Sequence, residues 1–190
     1  MRQIEDQVAP KRCGHTRDKA TVDRATAIER VRAAVDAARE HAQARGGGDE
    51  DAILIMARTD ALKTHGLDEA LERARAFRDL GADILFVEAP QSVEQMRTIC
   101  DEVGGAQMAN MLAGGLTPVL PPAELDALGF KLAAYPLDLL NAAISAQRRT
   151  LHALAASGKP SETDTLSFAE LQTAVGFDEY YETEARYKID

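Results

Sequence analysis

Ala52-Ile53-Leu54-Ile55-Met56-Ala57-Arg58-Thr59-Asp60 is a short, unbroken apolar run that ends in polar and charged residues. A strand with one face in water alternates apolar and polar side chains. A continuous run of this length fits a strand buried on both faces, as in a parallel sheet. The pattern recurs on either side of it. Ile84-Leu85-Phe86-Val87 reads as a buried strand ending in Glu88-Ala89-Pro90, and Gln107 to Met111 as another with Asn110 near its end. Phe130 to Tyr135 is a further strand, and Arg2 to Glu5 a very short one with only Ile4 to bury.

Helical spacing fills the gaps between these runs. Asp23 is the N-cap of a helix to about Arg45, with Ile28, Val31, Val35, Ala38 and Ala42 on one stripe. Leu67, Leu71, Ala74, Phe77 and Leu80 mark the next, which Gly81 stops. Ser92 with Gln95 has the spacing of a capping box, opening a helix whose Val93, Met96, Ile99, Cys100 and Val103 face inward. Pro121-Pro122 starts a short helix that Gly129 ends. Leu137, Leu140, Ile144, Leu151 and Leu154 mark a long helix to about Ser157, a stripe that must be buried somewhere. The expected organisation is a β–α domain over residues 1–158 and a helical tail over 159–190, with a capping box at Ser167 and Glu170.

Strand and helix alternate throughout, and each return is long enough for a right-handed crossover, so a parallel α/β sheet follows. It closes either as an open doubly wound sheet or as a barrel. No glycine loop of the dinucleotide or Walker type is present, which counts against the nucleotide-binding version. In a barrel the carboxyl ends of the strands face one mouth. Here those ends carry Glu5, Arg58, Glu88 and Asn110. Strand ends are polar simply because they leave the core, which explains one or two of the four more easily than all of them.

The formal charge of -9 and pI near 5.0 argue against a nucleic-acid partner. No apolar run is long enough to span a membrane, and the first residues do not form a signal peptide. Cys13 and Cys100 make no disulfide framework, so a reducing cytoplasm is the expected location. Cys100, on an apolar helix stripe, reads as core. His41, His65 and His152 read as solvated, and Asp60 as bracing its turn or pairing locally.

Cys13 differs from Cys100. It sits in the loop Pro10-Lys11-Arg12-Cys13-Gly14-His15, just after Glu5-Asp6-Gln7. Lys11, Arg12 and a protonated His15 supply the cations a thiolate needs near neutral pH. Gly14 lets the backbone bend and a ligand come close. The alternative is an exposed loop with a chance cysteine.

Lys11-Arg12-Cys13-Gly14-His15 resembles the signature loop of the isocitrate lyase and phosphoenolpyruvate mutase superfamily. Glu5-Asp6-Gln7, Ala57-Arg58-Thr59-Asp60-Ala61, Phe86-Val87-Glu88-Ala89 and Ala109-Asn110-Met111 are similar to motifs of that family, in the same order. The resemblance implies a (β/α)8 barrel with magnesium, or manganese, at its mouth. It implies C–C or P–C chemistry on a 2-oxo acid. Cys13 matches the cysteine that exchanges a proton with the departing carboxylate fragment, and Lys11, Arg12, Gly14 and His15 match the rest of that lid. Arg58 matches a substrate-carboxylate arginine, Glu88 and Asn110 match substrate-site residues, and Glu5 matches a carboxylate near the metal, directly or through water. The loop favours a magnesium-dependent lyase of a 2-methylisocitrate-like 2-hydroxy di- or tricarboxylate. A phosphonomutase or oxaloacetate decarboxylase type is the alternative within the superfamily, and an inactive oligomerising module the alternative outside it. The resemblance also implies a homo-oligomer that exchanges its last barrel helix.

In the family the metal-binding aspartates precede the position of Glu5. The chain therefore reads as about five β–α units of the barrel plus C-terminal helices, and it is not expected to turn over substrate by itself.

Overall fold

The computed structural model describes residues 1–11, 20–160 and 165–187. Five strands, β1 (Arg2–Glu5), β2 (Ile55–Thr59), β3 (Ile84–Val87), β4 (Ala106–Asn110) and β5 (Phe130–Ala134), form one sheet in chain order. Every neighbouring pair is parallel. The connections carry helices α1 (Arg24–Ala44), α2 (Ala61–His65), α3 (Leu67–Asp79), α4 (Val93–Val103) and α5 (Pro122–Leu128). After β5 come α6 (Asp138–Ser157), α7 (Phe168–Ala174) and α8 (Phe177–Arg186). A doubly wound sheet reverses strand order at a switch point, whereas a (β/α) barrel adds each strand beside the last. The unbroken order is that of the barrel. Contacts divide the chain into two compact units, Met1–Asp138 and Leu139–Asp190, so α6 groups with the C-terminal segment.

Within the first unit β2 and β3 are buried on both faces. Ile55, Ala57, Leu85 and Val87 point to one side and pack on Val31, Val35, Leu71, Ala74 and Phe77 of α1 and α3. Met56, Ile84 and Phe86 point to the other, with Met108 and Leu132 beside them. This double burial is why the parent sequences read as unbroken apolar runs. A third cluster joins Met96 of α4, Ala109 and Met111, Leu125 and Leu128 of α5, and Phe130. Asp23 caps α1, its carboxylate accepting from the Thr26 amide at 2.9 Å.

Gly129 ends α5 at φ +105°, in the left-handed region. A Cβ there would lie 3.1 Å from the Cys100 Cβ. Gly129→Ala is expected to cost about 1–2 kcal/mol, read as a lower denaturant midpoint at unchanged slope.

Several boundaries differ from expectation. The apolar run was read as a strand from Ala52, but β2 begins at Ile55 and Ile53 and Leu54 are exposed. The cause is the partner: β1 is four residues long and its register starts at Arg2 opposite Ile55. The connection after Asp60 contains α2, too short for periodicity to mark. In the box at Ser92, its hydroxyl accepts from the Gln95 amide at 3.2 Å, but the Gln95 side chain turns back to the Gln91 amide instead. Val93 was placed inward and is exposed, because it opens α4 before the stripe of Met96, Ile99 and Val103 turns to the core. At Ser167 and Glu170 both arms of the box form. No residue of α6, α7 or α8 is buried, and the stripe Leu137, Leu140, Ile144, Leu151 and Leu154 is exposed. No helix among the described residues is long and apolar enough to cross a membrane.

Candidate active site

Strand alternation puts Glu5, Arg58, Glu88 and Asn110 on the face that carries Met56, Phe86 and Met108. Glu5 is the register partner of Arg58, and Arg58 of Phe86. Asn110, two residues past Met108, ends β4. Arg58 is the hub. Its Nε donates to Asp60 Oδ2 at 2.9 Å and its Nη2 to Asp60 Oδ1 at 3.1 Å, a two-pronged fork. Its Nη2 lies 3.3 Å from Glu88 Oε2 and its Nε 3.7 Å from Glu5 Oε2. The guanidinium also sits 5.0 Å from the centre of the Phe86 ring. Burial works against the charge on Arg58, but the Asp60 hydrogen bonds, then Glu88 and Glu5, outweigh it and raise its pKa. A buried cation among three carboxylates is a site for an anion only if the ligand joins or displaces those carboxylates.

Behind this face a second network ties the strand ends to the helices. The buried Asp6 carboxylate accepts from Thr59 Oγ1 at 2.6 Å, the Asp60 amide at 2.9 Å and Arg73 Nη1 at 3.1 Å. Arg73, buried on α3, also donates to the Val22 carbonyl at 2.9 Å and to Glu69 Oε1 at 2.8 Å. Glu69 accepts in turn from Arg24 at the start of α1. The Arg24 hydrogen bond, opposed by burial and helped by Arg73, holds the Glu69 carboxyl down to about 2 from 4.5. A depressed carboxyl stabilises the fold above its unfolded value and loses that contribution as pH falls through the folded one. Wild type should therefore lose stability between pH 4.5 and about 2 by a step that Glu69→Gln lacks. Melting curves of both proteins across that range check it.

The two ends of the cysteine loop are held together. Val8 N donates to Ala20 O at 2.9 Å and Val22 N to Asp6 O at 2.8 Å, bracketing an antiparallel bridge between Gln7 and Thr21. Arg30 of α1 adds a bond to the Gln7 carbonyl at 2.9 Å. Lys11, at the loop's start, pairs with Glu5 Oε1 at 3.0 Å. Arg12, Cys13, Gly14 and His15 lie outside the described residues.

This arrangement, together with the motifs at Glu5, Arg58, Glu88 and Asn110, agrees with a match over residues 1–155 to the phosphoenolpyruvate phosphomutase family. The chain belongs to that family.

Relatives within the phosphoenolpyruvate mutase and isocitrate lyase superfamily span several reactions. The chain is 38% identical to 2,3-dimethylmalate lyase of Eubacterium barkeri over 97% of its own length and 61% of the relative's. It is 38% identical to 2-methylisocitrate lyase of Escherichia coli (strain K12) over 94% of its length and 58% of that protein's. Among solved structures, 2,3-dimethylmalate lyase matches with a TM-score of 0.82 at 38% identity, over 97% of this chain and 59% of the other. Oxaloacetate acetylhydrolase in complex with 3,3-difluorooxalacetate matches with a TM-score of 0.85 at 32% identity, over 97% of this chain and 60% of the other. The chain thus spans about three fifths of the relatives it matches.

Against the sequence reading, Asp60 pairs locally as expected, with Arg58. Asp6 was read as a carboxylate of the Glu5-Asp6-Gln7 motif, where metal ligands or bases often sit, not as the partner of a buried arginine, and Arg73 was not singled out. The available signal was the Glu69–Arg73 spacing on α3, which is a salt bridge in the fold. Burial, then the nearby Asp101, pushes the Cys100 thiol up to about 11. Cys100 is therefore a thiol at neutral pH, whereas Cys13 has Lys11, Arg12 and His15 as sequence neighbours, the kind that favour thiolate. Timed iodoacetamide labelling of the folded protein should modify Cys13 first. Faster labelling of Cys100 would contradict the assignment of the reactive cysteine.

Proposed function

We propose that the chain is part of a carbon–carbon lyase that cleaves a 2-hydroxy di- or tricarboxylate of the 2-methylisocitrate type and releases a 2-oxo acid. The observation that carries the reading is Arg58, held cationic at the strand mouth with Glu5, Glu88 and Asn110 on its face and the ends of the Cys13 loop beside it. Its guanidinium is suited to a substrate carboxylate. The reaction balances as follows. The substrate hydroxyl gives its proton to solvent water, from which the Cys13 thiolate regains one at the end of the cycle, and its oxygen forms a carbonyl as the adjacent C–C bond breaks. That bond's electron pair passes to the α-carbon of the departing carboxylate fragment, as an aci-carboxylate. Cys13 delivers a proton to this carbon and is left as thiolate.

The resemblance adds magnesium or manganese. Glu5 and Glu88 present the hard oxygen donors such ions take, and Glu5 Oε2 is buried and accepts no hydrogen bond among the described residues. Both carboxylates already face Arg58. Among the described residues no group of three or more His, Cys, Asp or Glu converges to hold a metal. Glu5 and Glu88 alone therefore do not make the ion's site, and the steps above run through side chains only.

The likeness to oxaloacetate acetylhydrolase favours a second reading, hydrolytic C–C cleavage of a 2-oxo acid. The test uses the protein expressed from its complete reading frame, with magnesium and with manganese. It is offered 2-methylisocitrate, 2,3-dimethylmalate, oxaloacetate and phosphoenolpyruvate. A 2-oxo acid with an equal amount of a dicarboxylate from 2-methylisocitrate, or of a monocarboxylate from 2,3-dimethylmalate, supports the lyase. Oxalate and acetate from oxaloacetate support the hydrolase, phosphonopyruvate supports a mutase, and no product from any of them removes the enzymatic reading.

We further propose a homo-oligomer. The exposed Leu139, Leu140, Ile144, Leu151 and Leu154 of α6 support it, as do Phe177, Tyr180 and Tyr181 of α8. A monodisperse monomer by light scattering at micromolar concentration would count against it.

A further inference from the structure

We propose that Asp6 and Arg73 are positioning residues of this site, a buried ion pair that sets the Arg58–Asp60 fork and pins the returning end of the Cys13 loop. The inference rests on the reading of Arg58 as the substrate-carboxylate group. Neither residue reaches the face on which Arg58 meets Glu5 and Glu88. Each acts through another group.

The geometry is specific. Asp60 presents both oxygens to Arg58, so the backbone at Asp60 aims the guanidinium. That backbone is fixed by its own amide, which donates to Asp6 Oδ1 at 2.9 Å. The neighbouring Thr59 hydroxyl donates to Asp6 Oδ2 at 2.6 Å. Arg73 Nη1 donates to the same Oδ2 and to the carbonyl of Val22, the residue just after the loop's closing bridge. One carboxylate and one guanidinium therefore touch both parts of the site: the end of β2 and the stem of the loop.

A buried ion pair is a poor way to gain stability, since well-packed apolar residues of similar volume do as well or better. What it supplies is fixed direction, because each oxygen has an assigned donor. A shift of under an ångström in the Asp60 backbone would swing the Arg58 fork away from a bound carboxylate.

The test separates positioning from mere stability. Wild type, Asp6→Asn and Arg73→Lys are compared with Val35→Ala, a core change on α1 away from the network. Oxalate binding is measured by calorimetry, and the ratio of Cys13 to Cys100 alkylation by mass spectrometry. Asp6→Asn is expected to weaken oxalate binding by roughly tenfold or more and to shift the labelling ratio by about threefold or more. Arg73→Lys, which keeps the charge, should fall between wild type and Asp6→Asn. Val35→Ala, compared at equal loss of melting temperature, should leave both readings near wild type. If Asp6→Asn is no different from Val35→Ala in both, the proposal is wrong. Should Asp6→Asn fail to fold, Thr59→Val removes one donor to the same carboxylate and is read the same way. Absence of oxalate binding in wild type would instead overturn the role given to Arg58, and the labelling ratio would then decide the positioning role by itself.

Discussion

Arg58→Met is expected to abolish carboxylate binding and to cost about 3–5 kcal/mol of stability, the usual penalty for stranding a buried charge. Methionine matches the length of the arginine stem but brings neither charge nor donors. Asp60 and Glu88 are both fully buried, and each faces the Arg58 guanidinium, as does the half-buried Glu5. Removing the cation leaves three carboxylates close together with a net loss of one positive charge. A protein of this size would melt roughly 6–20 °C lower. The double variant Arg58→Met/Asp60→Asn should regain part of that loss, because one stranded carboxylate becomes a neutral amide. A cycle of the two changes gives the coupling. Additive effects would show that Asp60 does not depend on Arg58. Oxalate affinity equal to wild type in Arg58→Met would show that the carboxylate binds elsewhere.

The site's face was legible because it depends on local alternation. Glu5, Arg58, Glu88 and Asn110 each stand at or just past a strand end, and a strand's two-residue period fixes the face of each. The parallel sheet followed from the crossovers between apolar runs, and its sequential order from the resemblance. Features set by distant partners were not legible. Ile53 and Leu54 look like strand residues, yet their exposure is decided by how far Arg2–Glu5 extends, some fifty residues away. Arg73 looks like a surface charge, and Asp6 like a motif carboxylate with no named partner, until the fold joins positions sixty-seven apart. Arg73 stands beside the stripe of Leu71 and Ala74 on α3, so its burial follows only once Asp6 and Val22 are known to approach it. The stripe on α6 was readable as apolar, but sequence periodicity says only that a face is apolar, not what covers it.

In the protein expressed from its complete reading frame, Cys13→Ser is expected to lower kcat by roughly 10²–10⁴-fold with little change in KM or melting temperature. The lyase step leaves an electron pair on the α-carbon of the departing carboxylate fragment, and a proton must reach that carbon before release. A general acid works best when its pKa lies near the working pH. Lys11, Arg12 and His15 stand next to Cys13 in the sequence, and cationic neighbours lower a thiol toward that range. A serine hydroxyl titrates far higher and is a much weaker proton donor. The fold should be indifferent, because the loop's stem is closed by the bonds of Val8 to Ala20 and Val22 to Asp6, outside the substituted position. Substrate binding should persist, because Arg58 and its carboxylates are unchanged. The pH profile gives the discriminating reading. Wild type should show a limb from a group titrating below an ordinary thiol, and the serine variant should lack it. A variant that kept more than about one tenth of wild-type kcat, with the limb intact, would remove Cys13 from the proton-transfer step.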